Sequence, residues 1–186
     1  RQALSHSSGL QREPPGEIWE SMSPPSREEL VAGLEDAERV LAPGIAFHYS
    51  NLVFALLGEV VARAGTTYET ALRERILEPL ALERTALLPT APVATPYFVH
   101  PHHDGVRVEP DMAVTESTGA AGWLWSTTAD LARWADFLCT GADGVLARST
   151  LDEMARVQTM VDEVGWGVGW GLGLELMRRG DRVLAG

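Results

Sequence analysis

The sequence contains no lysine, because all fifteen basic residues among its 186 are arginine. This absence excludes any catalytic arrangement that needs a lysine within these residues, including the pattern Ser-x-x-Lys. A single cysteine, Cys139, excludes an internal disulfide bond. It ends an apolar helical pattern with Trp134, Phe137 and Leu138, which predicts a buried thiol without a reactive function.

Long apolar runs and an excess of positive charge are also missing. No run approaches the roughly 20 residues of a membrane-spanning helix, so we expect no membrane association. The net charge of −11 repels phosphate groups, which makes nucleic acid an unfavourable partner. A composition with 45% hydrophobic and 22% charged residues is typical of a globular domain. None of these features indicates a cellular localisation.

Capping signals and apolar periodicity predict a helix-rich chain. Helices are expected to begin after Ser26, Thr66 and Thr127, since each is followed three residues later by an acidic residue. The second of these helices is expected to end before Pro79, and the third at Cys139. A further helix is expected at 151–157.

Two extended segments complete the pattern. Asp104-Gly105 separates short apolar runs and predicts a small hairpin. Residues 165–177 alternate in character and precede a turn at Arg179-Gly180-Asp181, which predicts a closing hairpin with Trp166 and Trp170 on its helix-facing side. The fold class is therefore α+β, with a mainly helical part at 1–163 and a sheet part at 164–186.

The segment 43–51 is the strongest indication of a functional site. Pro43-Gly44 predicts a turn and residues 45–49 a short extended stretch, while apolar helical spacing begins just after Asn51. Tyr49 and Asn51 therefore flank Ser50, a predicted N-cap, at a strand-to-helix corner. A phenol and a carboxamide held there by backbone on both sides are suited to catalysis.

Together with its flanks, Tyr49-Ser50-Asn51 resembles the second catalytic motif of the serine β-lactamase-like family. That family includes class C β-lactamases, penicillin-binding DD-peptidases and related esterases. The segments 6–10, 77–80 and 121–131 resemble further parts of the family in the same order. The first family motif, Ser-x-x-Lys, and the third, a Lys- or His-led triplet ending in Gly on a sheet strand, are not found here. The resemblance therefore predicts a central fragment of a serine hydrolase, from which the nucleophilic serine and its lysine are absent.

The resemblance implies roles for individual residues. A free phenol ionises near pH 10, so a tyrosine can take a proton from serine only beside positive charge. In the family this charge comes from the lysine, which makes Tyr49 the general base or acid and Asn51 the anchor of substrate and lysine. Trp123 and Trp125 lie in a segment that the resemblance places beside the cleft, where they either line an acyl pocket or pack in the fold. No cofactor is implied.

A metal site formed by histidines is an alternative that the sequence pattern does not favour. His100, His102 and His103 stand close together, but they lack the His-x-His-x-Asp-His arrangement of metallohydrolases, so we expect a polar hairpin tip and no metal site. His48 is expected to point to the face opposite Tyr49, and His6 to form hydrogen bonds in a loop.

The expected substrate is a small acyl compound, which the sequence leaves open as a β-lactam, a D-Ala peptide or an ester. A noncatalytic binding or regulatory module that retained the fold is the alternative. The fragment alone is expected to be inactive. Its sheet is expected either to self-associate through an exposed edge or to be poorly ordered at 166–186.

Overall fold

A computed structural model describes residues 1–16, 18–21, 23–100, 102, 104–109 and 117–186. The chain has an α+β fold in which a helical part precedes an antiparallel sheet. Its α-helices within these residues are α1 (Ile18–Ser21), α2 (Arg27–Ala32), α3 (Asn51–Ala62), α4 (Tyr68–Leu72), α5 (Thr128–Thr140) and α6 (Arg148–Met154).

The helix starts follow the capping chemistry of the sequence. Ser26 and Glu29 form a complete capping box at α2. Thr127 caps α5, where its side chain accepts a hydrogen bond from the Asp130 N–H. The cap of α4 is Thr67 and not the predicted Thr66, because the Thr67 hydroxyl accepts the Thr70 N–H. Helix α6 begins and ends three residues before the predicted 151–157.

The best-buried hydrophobic cluster joins α2 to α3. Leu30 of α2 is 1% exposed and packs with Leu52 and Ala55 of α3, both fully buried. The first half of α3 is thereby fixed against the chain that precedes it. Val60 continues the apolar helical spacing that begins after Asn51, yet it is 65% exposed.

The small hairpin is confirmed. Strands β1 (Tyr97–Val99) and β2 (Val106–Val108) pair antiparallel, with Phe98 opposite Arg107. His100 donates its N–H to the Gly105 carbonyl, which closes the ladder. His103 lies outside the described residues.

The closing segment contains more strands than the sequence predicted. The predicted turn is confirmed between β5 (Glu175–Arg179) and β6 (Arg182–Ala185). The alternating run before it, however, divides into β4 (Val168–Trp170) and β5, and β3 (Thr159–Met160) pairs with β4 on the other side. The antiparallel order is β3-β4-β5-β6.

Two glycines explain the additional turn. A Cβ at Gly171 would collide with the Met154 carbonyl oxygen, and Gly173 has a φ of +78°. The Leu172 N–H donates to the Met154 carbonyl and the Gly173 N–H donates to the Leu4 carbonyl, and both carbonyls lie outside the sheet. These contacts hold the chain in a turn where alternation alone predicted a continuous strand.

Two of the three predictions for Cys139, Trp166 and Trp170 are wrong. Cys139 is exposed and not buried, since α5 turns mainly Asp130 and Phe137 inward. Trp166 is 71% exposed and precedes β4, so it does not cover the helices. Trp170 does pack inward, against His6.

Within the described residues, no helix combines the length and the apolar character that crossing a membrane requires.

Candidate active site

The corner predicted at 49–51 is present and is held by hydrogen bonds on both sides. Ser50 is extended and fully buried, and its hydroxyl accepts the Val53 N–H at 3.1 Å, which begins α3. The same hydroxyl donates to the Gln11 carbonyl at 2.6 Å. Next to it, the N–H groups of Asn51 and Leu52 donate to the Arg12 carbonyl. Ser50 therefore points into the fold, while its neighbours Tyr49 and Asn51 are half-buried.

His6 fixes the other side of the corner. Its Nδ1 accepts the Ser50 N–H at 3.1 Å, and its carbonyl accepts the His48 N–H at 2.7 Å. The imidazole ring lies 4.4 Å from the Tyr49 ring and 4.7 Å from that of Phe54, measured between centroids. The predicted hydrogen-bonding role of His6 is thus confirmed, and the ring also supports the face of Tyr49.

Burial determines the charge state of His6. The residue is 2% exposed, and this burial, with a smaller contribution from His48, lowers its pKa from 6.5 to about 4. The imidazole is therefore neutral at pH 7. Because Nδ1 accepts a hydrogen bond, the proton resides on Nε2.

Asn51 contacts a carboxylate that sequence reasoning missed. Its Nδ2 lies 3.0 Å from each carboxylate oxygen of Glu13, and Arg12 Nε lies 3.3 Å from one of them. The Arg12 guanidinium carbon is 5.3 Å from the centroid of the Tyr49 ring. Glu13 is 38 residues from Asn51, so no local spacing pattern signals the pair. The only nearby signal is the pair of prolines that follows Glu13 and indicates a loop.

A cavity of about 250 Å³ brings several of these side chains together. Its lining includes three residues that the sequence predicted for the site, Tyr49, Asn51 and Trp123. It also includes two polar residues that the sequence did not predict, Glu13 and Thr118. Apolar groups form much of the remaining wall, including Pro14, Ile18, Pro24 and Ala121.

The tryptophan loop reaches the cavity through an unusual backbone. Gly122 has a φ of 157° and Trp123 a φ of 70°, which turns the chain after the 3₁₀ helix Gly119–Ala121. Trp125 is not among the described residues that line the cavity. Its backbone pairs with Ala86, so the binding role predicted for Trp125 stays a prediction.

The other described histidines are His48, His100 and His102. His48 is half-buried beside it, and its Nε2 has no hydrogen-bond partner among the described residues. His100 accepts the His102 N–H, and the two rings are 6.0 Å apart. Among the residues that the structure describes, no group of three His, Cys, Asp or Glu side chains is arranged to hold a metal ion.

Comparison with known sequences gives a family match along most of the chain. A family model described as Beta-lactamase matches residues 1–185. The chain is also similar to the D-alanyl-D-alanine-carboxypeptidase/endopeptidase AmpH of Escherichia coli (strain K12), with 31% identity over 141 residues. That alignment covers 70% of this chain and 33% of AmpH, so the chain spans about a third of the length of this curated relative.

Solved structures give a similar result. A D-stereospecific amidohydrolase from Streptomyces sp. matches with a TM-score of 0.81 and 27% identity, covering 100% of this chain and 59% of that one. An octameric penicillin-binding protein homologue from Pyrococcus abyssi matches with a TM-score of 0.77 and 25% identity, covering 94% and 42%.

Proposed function

The chain belongs to the beta-lactamase family, and on this premise we propose that it is the central part of a serine hydrolase that acts by acyl transfer through a serine ester. The observation that carries the proposal is the joint position of Tyr49 and Asn51. Both line one cavity, at a corner whose backbone is held by His6, Gln11 and Arg12.

Tyr49 acts as the general acid or base in this proposal. Its ring is held against the face of His6, so the phenol has a fixed direction before substrate binds. The nucleophilic serine gives its proton to Tyr49 as it attacks the substrate carbonyl, and Tyr49 returns a proton to the leaving group. The positive charge that this transfer requires comes from a lysine outside these residues, because the chain contains none.

Asn51 positions substrate and lysine. Since a carboxylate only accepts hydrogen bonds, Glu13 draws the Asn51 amide nitrogen toward itself. The amide oxygen is then the acceptor that Asn51 offers to an N–H group of the substrate or to the lysine ammonium. Trp123 contributes apolar surface to the same cavity and is proposed to contact the acyl group.

The proposed substrates are small molecules with an amide bond beside a D-configured centre. Support comes from two similar proteins, a D-alanyl-D-alanine-carboxypeptidase/endopeptidase and a D-stereospecific amidohydrolase.

Labelling with a fluorophosphonate probe tests the proposal. We expect the complete protein to be labelled on a serine outside these 186 residues and to hydrolyse a D-amino acid nitroanilide, and the isolated chain to do neither. Labelling of the isolated chain, lost on replacement of one of its own serines, would contradict the fragment proposal. A complete protein that binds such amides without labelling or turnover would favour a binding module.

A further inference from the structure

One charged side chain in the cavity has no part in the proton transfer described above. Glu13 lines the cavity together with Tyr49 and Asn51, and 26% of its side chain is exposed. Its two oxygens accept hydrogen bonds from the Asn51 amide. A carboxylate has about four acceptor positions, so this contact holds Glu13 in place and leaves it capacity for another donor.

The positive neighbour of Glu13 lies largely outside the cavity. Arg12 contacts Glu13 through Nε at 3.3 Å, but its own side chain is 68% exposed. Arg12 is also absent from the described residues that line the cavity. An exposed ion pair of this kind contributes about 0–1 kcal/mol, so the carboxylate remains available to a better-placed cation.

The rest of the cavity favours a small cation over an anion. Apolar atoms of Pro14, Ile18 and Pro24 lower the local dielectric constant, which strengthens the attraction between Glu13 and an opposite charge. The aromatic ring of Trp123 in the wall is a group that attracts cations to its face. The net charge of −11 acts in the same direction at longer range.

From these contacts we infer that Glu13 binds the ammonium group of a substrate that has a free α-amino group, such as an amino acid amide. This inference rests on the proposed function and narrows its substrate class. The volume of about 250 Å³ is below the range of about 300–1,000 Å³ typical of drug-sized ligands, and suits a group of the size of one amino acid. A substrate that places a carboxylate or an uncharged N-acyl group beside Glu13 loses this ion pair and is disfavoured.

The experiment compares two substrates in the complete protein at pH 7, where an α-amino group is largely protonated. The substrates are D-alanine 4-nitroanilide and its N-acetyl derivative. We expect the wild type to prefer the free amine. Glu13→Gln keeps an oxygen that can accept from the Asn51 amide but loses the charge, so we expect kcat/KM for the free amine to fall roughly 10- to 100-fold further than kcat/KM for the N-acetyl substrate.

Glu35→Gln is the matched control, because Glu35 is exposed and lies outside the cavity lining. It removes the same charge and should change neither substrate. Retained turnover of the N-acetyl compound shows that the Glu13→Gln protein is folded.

Equal losses on both substrates would overturn the inference, since Glu13 would then support the catalytic groups, for example by pairing with the lysine. A wild type that hydrolyses both substrates without preferring the amine would also overturn it, while leaving the proposed function intact. If the wild type hydrolyses neither substrate, the proposed function fails separately. Calorimetric binding of D-alanine amide and its N-acetyl derivative then decides the inference: tighter amine binding, lost in Glu13→Gln, supports it, and equal binding contradicts it.

Discussion

The His6 imidazole shows how one buried side chain couples pH to the shape of the corner. Its neutral form accepts the Ser50 N–H and supports the Tyr49 ring, and protonation of Nδ1 would replace that acceptor with a donor. The folded-state pKa of about 4 is below the unfolded value of 6.5 because burial opposes the charge. Between these values the unfolded chain binds more protons than the folded one.

Stability from His6 is therefore fully present above pH 6.5 and is lost as the pH falls toward 4. We expect urea unfolding to show a loss of about 2 kcal/mol over this range, after allowance for solvent screening, in excess of the loss in His6→Gln. NMR titration of the His6 ring gives the same pKa directly. Equal pH dependence in the two proteins would show that His6 titrates as an exposed histidine.

Tyr49→Phe in the complete protein removes only the phenolic hydroxyl. We expect kcat to fall by about 10²- to 10⁴-fold, the usual contribution of a positioned acid or base, with the ring stacking and the melting temperature nearly unchanged. Tyr97→Phe is the matched control, since Tyr97 is 61% exposed on β1 and should leave kcat unaltered. Unchanged acylation kinetics in Tyr49→Phe would remove Tyr49 from the mechanism.

Sequence reasoning found the part of the site that is local in the chain. Tyr49, Ser50 and Asn51 are consecutive, so turn, cap and helix signals were enough to place them at a corner. Glu13 and His6 reach the same place from 38 and 44 residues away, and only the folded backbone brings them there. Cys139 was predicted to be buried and is exposed. An apolar helical pattern shows which face of a helix is apolar, but it does not show whether another part of the fold covers that face.

Helix α3 is tied to the cavity wall through a close approach at Gly58. A Cβ at this position would lie 2.9 Å from the Ala120 Cβ, so the helix and the turn Gly119–Ala121 are nearer than two alanines permit. Gly58→Ala gains about 1 kcal/mol of helix propensity but forces the turn outward, at a cost of about 1–3 kcal/mol. We expect a net loss of about 1 kcal/mol in the free energy of unfolding.

A double-mutant cycle separates the two effects. The double variant Gly58→Ala/Ala120→Gly exchanges the two residues. It removes the clash between the two Cβ atoms and keeps the higher helix propensity of alanine in α3. The double variant should therefore recover the stability that Gly58→Ala loses, as measured by denaturant unfolding. If Gly58→Ala is more stable than the wild type, the contact between α3 and the turn is looser than the structure shows.

Element boundaries were predictable where a local signal fixes them. The capping box at Ser26 and the turn between β5 and β6 depend on neighbouring residues, and both were predicted. The break at Gly171 depends on the Met154 carbonyl, which belongs to the end of α6, so the alternating pattern could not reveal it. The same turn separates β4 from β5 and brings Trp170 to His6.

At the scale of the whole molecule, the described residues combine a helical part with a four-stranded sheet whose outer strands are β3 and β6. Fold class followed from the order of the helical and extended patterns, and the structure confirms it. The division at 163/164 stays a prediction, and β3 at Thr159–Met160 lies before it in the chain. The expected two-stranded ribbon is in fact the outer half of a larger sheet, because β4 pairs with β5 on the side away from β6.

The outer strand β6 makes self-association the expected behaviour of the isolated chain. Every residue of Arg182–Ala185 is exposed, including Val183 at 63% and Leu184 at 54%. A strand paired on one side presents free N–H and C=O groups, which recruit another strand. The net charge of −11 opposes this contact over about 30 Å at 10 mM salt, but over only about 8 Å at 0.15 M.

Light scattering across a salt series should accordingly show a monomer at 10 mM salt and larger species at 0.3 M. Val183→Lys is expected to weaken the association, because a charged side chain on an edge strand blocks edge pairing. Val60→Lys on α3 adds the same charge at a position 65% exposed that belongs to no strand, and serves as the control. Amide exchange over residues 182–186 should slow as association increases. A chain that remains monomeric at every salt concentration while these amides are strongly protected would show that β6 is not an open edge in solution.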